Sequence, residues 1–559
     1  MLTHDGGLLT VDVGERAVHE ERIDGVLGSY VGGRGVGTKL AFDRIPFDVD
    51  PLGPDNRLYF ATGPLQASRT SFTGRSSATA VSPLTGGLLS SNAGGFLSRN
   101  LAATGYAAIE LVGASDEPLA VHVTDEGVEF EPVPDLEGTE VSAVTERVAE
   151  PRGLDASNLV CVGPAGESLV RFASIMTTES RTFGRGGLGA VLGSKNVKAV
   201  SFDGDSPPEI ELPDPGIGSA IHADAAESDH LMKRQGTAGL TSFANEVEAL
   251  PTRYYAERSF EGAEGISGDR VGEKKYAKGT CSACAFACKL PTKDEERGVE
   301  TEGPEFETVM AFGSNVGVDD IVSVMESNDR CDELGMDTIG CGAAIAAYLA
   351  SEDRFGDRDL VHELIERIAR REGVGDRLAE GVARCHDELG VPNWSAKGMA
   401  FAAHDGRTLH GQGLAFATAN RGADHLYGSL YVYEYPLVDG EDALDPEGLE
   451  GKPAKLVRSE DHNALFDSAI LCKFSRNAVT RDRLEALLGA DYDELLAVGG
   501  RIVDLERRFN NERGFDRADD ALPYALEGFD EALSEYYRLR GWNPDGTVPP
   551  ASIGRSVGG

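Results

Sequence analysis

The chain has 559 residues, 41% of them hydrophobic, enough for two to four domains with substantial cores. Its 93 acidic against 53 basic residues give a net charge of −40, which argues against binding nucleic-acid phosphates. No run approaches the ~20 apolar residues of a membrane span. The opening MLTHDGGLLTVDV has neither the basic nor the apolar region of a secretory leader, so a soluble, cytoplasmic protein is expected. The acid is spread along the chain and lysine is scarce beside arginine, as in proteins of high-salt cytoplasms, where screening makes such a surface tolerable.

Residues 1–204 are rich in Gly, Thr, Ser and Val. Segments such as NRLYFATG, RSSATAVS and AAIELVG read as strands joined by glycine turns. The Pro- and Asp-dense stretch at 201–216 reads as a linker. Beyond it, DDIVSVMESNDRCDEL, DTIGCGAAIAAYLAS, DLVHELIERIARREG and DYDELLAVGGRIVDLERRFN have helical periodicity, and 436–455 reads as a loop. The pattern predicts an α+β chain: a β-rich domain at 1–204, then mostly helical domains at 210–400 and 401–559. No repeat of 20–50 residues is present. Two glycine strings, GRGVG at 33–37 and GAVLGSK at 189–195, lack the complete dinucleotide and P-loop patterns. Both read as tight turns, the second still able to aim amides at a phosphate.

Cys281, Cys284 and Cys288 cluster in CSACAFACK, and Cys472 follows 184 residues after Cys288, in DSAILCKF. Three close thiolates and one distant one can hold the corners of a [4Fe–4S] cubane. Spacing alone leaves zinc and unligated thiols open, although a zinc site ordinarily pairs two C-x-x-C units. The order is the reverse of the radical-SAM motif, and a disulfide framework does not suit so long a chain. Cys161, Cys331, Cys341 and Cys385 are isolated and read as small buried hydrophobes.

Asp332-Glu-Leu-Gly335-Met336-Asp337 falls between two predicted helices. Gly335 suits a left-handed helix end and Asp337 can cap the next helix, which is a sufficient structural account. A similar turn, Asp467-Ser-Ala-Ile470-Leu471-Cys472, ends on the fourth cysteine. The pair suggests a pseudo-symmetric cradle whose carboxylates could accept hydrogen bonds from the N–H edge of a pterin-like ring.

With VGGRGVGTKLAF, ATGPL, SFTGRSSATAVSPLTGG, SNAGG, GRGGLGAVLGSKNVKAV, TEGPEFET, NRGADH and YYRLRGW, these motifs resemble, over essentially the whole chain, the tungsten-containing aldehyde ferredoxin oxidoreductases. The sequence looks like an acidic, halophilic, haloarchaeal-type member. The resemblance implies a two-sheet N-terminal base under two helical domains, enclosing one metal, tungsten or molybdenum, held by two pterins. A [4Fe–4S] cluster lies alongside, and Mg2+ bridges the pterin phosphates. It implies that Cys281, Cys284, Cys288 and Cys472 ligate the cluster. It places Asp332, Met336, Asp337, Asp467, Cys472 and Lys473 at the pterins, where Ile470 replaces a usual glycine and leaves that turn in question. Arg75 would lie between pterin and cluster. Asn92, Ala93, Gly94, Arg181, Thr182, Gly184 and Arg421 would hold the pterins and their phosphates.

Glu307 and His425 match residues beside the metal. Alone, each is an ordinary capping or surface residue. With the resemblance, they imply a general base and a carbonyl-polarising donor. Electrons would leave through the cubane to ferredoxin. Residues 406–420 are expected along the pocket, with His404 and His410 equally consistent with core or surface roles. The family also contains homodimers with an iron between subunits, for which Glu326 and His362 match; Asp329 stands where a third ligand, histidine, is common. The activity implied is aldehyde oxidation to a carboxylic acid. Alternatives with the same cofactor are sugar-phosphate aldehyde oxidation and aromatic thioester reduction. A cluster-only electron carrier and a zinc-stabilised binding protein are the readings from other classes.

Overall fold

Alternation of β-branched and small residues across the first 204 positions builds twelve strands in two six-stranded sheets. The computed structural model describes residues 1–177, 180–436 and 442–550. The first sheet holds β1 (Gly7–Asp12), β2 (Ala17–Arg22), β3 (Leu58–Ala61), β4 (Arg75–Val81), β5 (Leu88–Gly94) and β6 (Ala108–Val112), in the order β2-β1-β6-β3-β4-β5. The second holds β7 (Leu119–Thr124), β8 (Gly127–Pro132), β9 (Leu159–Cys161), β10 (Ile175–Thr177), β11 (Arg181–Phe183) and β12 (Val197–Phe202), in the order β11-β10-β9-β12-β7-β8. Each sheet is mixed, with β1 parallel to β6 and β12 parallel to β7. Phe60 meets Phe183 and Phe202 edge-on, both at 5.8 Å, so the sheets share one apolar core.

The helical half follows the periodic segments closely. Helices run over Ile321–Leu334, Thr338–Glu352, Arg358–Ala369, Lys452–Ser468, Tyr492–Glu512 and Phe529–Arg540. Four begin on an aspartate that accepts from an otherwise orphaned amide: Asp320 from Val322, Asp337 from Gly340, Asp357 from Leu360 and Asp491 from Asp493, at 2.9–3.1 Å. Each such cap is worth roughly 1 kcal/mol. The fold is thus α+β. Among the described residues no helix is long and apolar enough to cross a membrane. The predicted loop at 436–455 is shorter than expected, because a helix already begins at Lys452; residues 437–441 of it lie outside the described residues.

Both glycine strings are corrections to the sequence reading. GRGVG is the first turn of the helix Gly33–Arg44, not a tight turn. A methyl on Gly33 would strike the Asp467 carbonyl, and one on Gly37 the Thr79 side chain, so these glycines permit close packing of the helix on β4 and on the second motif. GAVLGSK is the helix Leu188–Ser194, whose glycines pack on the backbone of Ser174 and Gly166. Its Lys195 is buried and donates to the carbonyls of Asn56, Pro54 and Gly113, which leaves it no phosphate role.

Candidate active site

The β4–β5 hairpin brings the first site residues together. Its register sets Arg75 opposite Gly94, Ser76 opposite Ala93 and Ser77 opposite Asn92. Arg75 Nη2 donates to the Asn92 carbonyl at 2.7 Å and its Nε to the Asn92 side chain. Its Nη1 is 3.9 Å from the Cys472 Sγ. Cys472 is itself anchored to this domain, its N–H donating to the Phe72 carbonyl at 2.8 Å. The three-cysteine loop is tied to the same place, because Ser282 N–H donates to the Gly95 carbonyl at 3.0 Å. Gly94 lies close against this loop: a methyl there would come within 3.1 Å of the Cys281 sulfur. Burial, with Cys472 and Cys281 nearby, raises the thiol pKa of Cys284 and raises that of Cys288 more strongly. The four thiols therefore share one environment, and all are free. Among the described residues no three His, Cys, Asp or Glu side chains close on a point, as ligands of a single ion would.

The two motif turns face this loop from the helical half. In the first, Gly335 is left-handed at φ +78° and closes the helix Ile321–Leu334, and Asp337 opens the next. The base clamps this turn: Ser174 N–H donates to Gly335, Asp337 N–H to Phe172, and buried Met336 bridges to Ala173. Burial pushes the Asp332 and Asp337 carboxyls up, with Asp329 adding to the first and Arg185 opposing the second. In the second turn, Ile470 takes φ +60°, so the left-handed geometry survives without glycine. Asp467 is held by Lys473 at 2.7 and 2.9 Å. Burial pulls the Lys473 ammonium down while Asp467 opposes it. Arg34, which sequence reasoning missed, lies 3.4 Å from Asp467, forks onto Glu506 at 2.7 Å twice, and sits 3.5 Å over the Tyr427 ring.

Around these turns lies buried polar surface with unmet hydrogen-bonding capacity. Ser77 Oγ, Ser174 Oγ, Thr177 Oγ1, Arg181 Nε, Arg185 Nε and Nη1, and Arg421 Nε have no hydrogen-bond partner among the described residues. Arg181 is anchored by Glu302 at 2.9 Å, Thr182 Oγ1 donates to Ile175 at 3.3 Å, and the Gly184 carbonyl accepts from Ser91 at 2.8 Å. Arg421 pairs with Asp424 and donates to Ser90 at 2.9 Å. Buried orphans normally have a partner to come. A set dominated by guanidinium N–H groups and hydroxyls fits an anionic, acceptor-rich group such as a phosphate-bearing pterin.

Glu307 stands in the first turn of the helix Phe306–Phe312. Its Oε2 accepts from the Ala403 N–H at 2.8 Å. Its Oε1 is buried without a hydrogen bond, 3.4 Å from His425 Nε2 and 3.6 Å from His404 Nε2. His425 Nδ1 is likewise unpartnered. Although burial alone would raise the Asp424 carboxyl, Arg421 and His425 hold it well below the carboxylate range. His404 stands beside the Glu307–His425 pair. It stacks 3.7 Å from the Tyr431 ring, and its Nδ1 is 2.8 Å from the Tyr435 hydroxyl. Burial, then His425, keeps its imidazole well below the usual range, hence neutral. Nothing in the sequence around His404 distinguishes it from a core histidine. His410 instead accepts from Gly448 N–H in a surface loop at 3.0 Å.

Glu326 and His362 do come together, at 3.8 Å. Both are already engaged by protein groups within this chain. Both Glu326 oxygens are taken by Arg297, Nε at 2.9 Å and Nη2 closer still, and His362 Nε2 lies 3.2 Å from the Ser323 hydroxyl and carbonyl.

Grouped thiols, a donor-rich cradle and an acid–imidazole pair are the equipment of an oxidoreductase. The family model described as "Aldehyde ferredoxin oxidoreductase, N-terminal domain" matches residues 8–204, and that for its domains 2 and 3 matches 217–555. The chain belongs to the aldehyde ferredoxin oxidoreductase family. Its relatives include the tungsten-containing aldehyde ferredoxin oxidoreductases of Pyrococcus furiosus, 34% identical over 98% of each chain, and of Thermococcus kodakarensis, 34% identical over 95% and 94%. A Pyrococcus furiosus aliphatic sulfonate oxidoreductase, WOR-like subunit, is 27% identical over 91% of this chain and 86% of its own. A benzoyl coenzyme A reductase active-site complex, BamBC, solved with 1,5-dienoyl-CoA, shares the fold with a TM-score of 0.84, 20% identity and coverage of 99% and 97%.

Proposed function

We propose that the chain oxidises aldehydes to carboxylic acids and hands the electrons to ferredoxin. One aldehyde and one water give one acid, two protons and two electrons, the last taken by two ferredoxins. The observation that carries this is Glu307. One of its oxygens is fixed by Ala403 N–H and the other is buried, unpartnered and shared by two imidazoles. A carboxylate so held is placed to take the proton of a water attacking a carbonyl carbon. His425 Nε2, on the same side, is placed to donate to the carbonyl oxygen. Arg421 and Asp424 hold the segment that carries His425.

Cys281, Cys284, Cys288 and Cys472 would hold the [4Fe–4S] cluster. Asp332, Met336, Asp337, Asp467, Cys472 and Lys473 would hold two pterins. Arg75 would stand between pterin and cluster, and Asn92, Ala93, Gly94, Arg181, Thr182, Gly184 and Arg421 would line the pterins, their phosphates and a bridging Mg2+. When bound, the tungsten or molybdenum pterin supplies a two-electron couple and the cluster a one-electron outlet. Domains at 1–204, 210–400 and 401–559 would close on this group, in the cytoplasm.

The test is metal, iron and acid-labile sulfide content of anaerobically purified protein, followed by an aldehyde panel with a viologen dye. About one tungsten or molybdenum with four irons and four sulfides per chain, and dye reduction by aldehydes, is the expected result. Full metal content with no aldehyde turnover would overturn the substrate and turn attention to thioester or sulfonate chemistry. Iron and sulfide without the heavier metal would leave an electron carrier.

A further inference from the structure

Lysine is distributed unevenly in this acidic chain. Of its thirteen lysines, five fall within residues 274–293, a stretch with no Asp or Glu that contains Cys281, Cys284 and Cys288. In the fold this stretch borders an open groove of about 1240 Å3, into which Lys233, Arg234, Arg270, Lys275 and Lys278 project. Three acids share it. Arg270 binds Glu273 at 3.0 Å and reaches Glu264 at 4.0 Å, and Asp269 accepts from Gln235. Lys274, Lys289 and Lys293 pair with Asp294, Glu302 and Glu295, whereas Lys233 and Lys275 donate to backbone carbonyls and make no ion pair among the described residues. No acid within ion-pair distance of Arg234 or Lys278 is found among the described residues. Exposed Leu231 and Tyr276 add apolar surface.

The groove adjoins the cysteine loop. The 275–279 segment runs antiparallel to 289–292, with Tyr276 N–H donating to Pro291 at 3.1 Å and Lys289 N–H to Gly279 at 3.2 Å. On the other wall, Lys233 Nζ lies 6.0 Å from the ring of Phe286, between Cys284 and Cys288 in sequence. Resting on the oxidoreductase reading above, we propose that this basic groove is the docking surface for a small acidic iron–sulfur protein that accepts the enzyme's electrons. A net charge of −40 repels an acidic partner from most of the surface, and a cationic face beside the thiols steers it to the electron exit.

The experiment compares wild type with Lys278→Glu, Arg234→Glu and the double variant, using an acidic plant-type [2Fe–2S] ferredoxin and a viologen dye. Calorimetric Kd for the ferredoxin is measured alongside turnover and across salt concentrations. Each reversal is expected to raise Kd and lower kcat/KM for ferredoxin by about tenfold, flatten the salt dependence, and leave the dye rate unchanged. Lys278→Arg should behave as wild type. Unaltered ferredoxin Kd and salt slope in the double variant would overturn the proposal. Aldehyde turnover absent with both acceptors in wild type would refute the functional reading, while Kd would still decide the docking surface.

Discussion

Ile470 offers a measurement whose sign depends on backbone conformation. It is fully buried at φ +60°, in a turn that presents Asp467, Cys472 and Lys473. Its two γ-carbons lie 2.9 Å from where a Cβ on Gly63 would stand, so the side chain fills the space that Gly63 leaves. Ile470→Ala and Ile470→Gly each delete that packing, for about 2–5 kcal/mol. At an ordinary position glycine would be worse than alanine by a further ~0.5–1 kcal/mol, because its unfolded chain is freer. In the left-handed region alanine keeps a steric cost of ~1–2 kcal/mol that glycine sheds. The order therefore inverts, with Ile470→Gly more stable than Ile470→Ala by about 0.5–1 kcal/mol. Pulse proteolysis across a urea series, run anaerobically on both variants, reads the difference. A glycine variant less stable than the alanine variant would refute a left-handed residue here.

Glu307→Gln keeps the Ala403 contact but removes the base. It should retain metal and sulfide while kcat falls at least ~100-fold, and full activity would end its catalytic assignment. Cys472→Ala keeps the backbone bond to Phe72 but should lose acid-labile sulfide, read by sulfide assay of the anaerobically purified variant; full sulfide content would remove Cys472 from the ligand set. Burial lowers the His462 pKa to about 4, with Arg476 and Lys473 adding to it, while its ring packs 4.2 Å from that of Phe466. A depressed histidine pKa gives stability that is complete above the unfolded value, near 6.5, and fades as pH falls towards the folded one. Between pH 7 and pH 5 wild type should lose about 2 kcal/mol more than His462→Phe, read from urea midpoints, and parallel curves would contradict the assignment.

The architecture was legible because periodicity and capping are local. Asp337 and Gly335 do in the fold what their spacing suggested, and the helices around them begin and end close to where the pattern predicted. What the sequence hid was long-range. Arg34 matters through Glu506, 472 positions away. His404 joins the site through Glu307, Tyr431 and Tyr435, none of which marks it in a linear reading. The glycines of GRGVG looked like a turn because a close approach between helices and a tight turn ask for the same missing Cβ. Arg297 was invisible as the residue that occupies Glu326, since nothing in VMESND announces a partner 29 positions upstream.

The anchoring of Cys472 to Phe72 and of Ser282 to Gly95 has a consequence for how this enzyme is made. Cys288 leaves the ribosome 184 residues before Cys472. At 5–20 residues per second that is roughly 10–40 s in which three reduced thiols wait for the fourth. On the proposed ligation, the fourth corner of the cluster would be supplied only once the C-terminal helices had been made, so its assembly would follow translation of both halves.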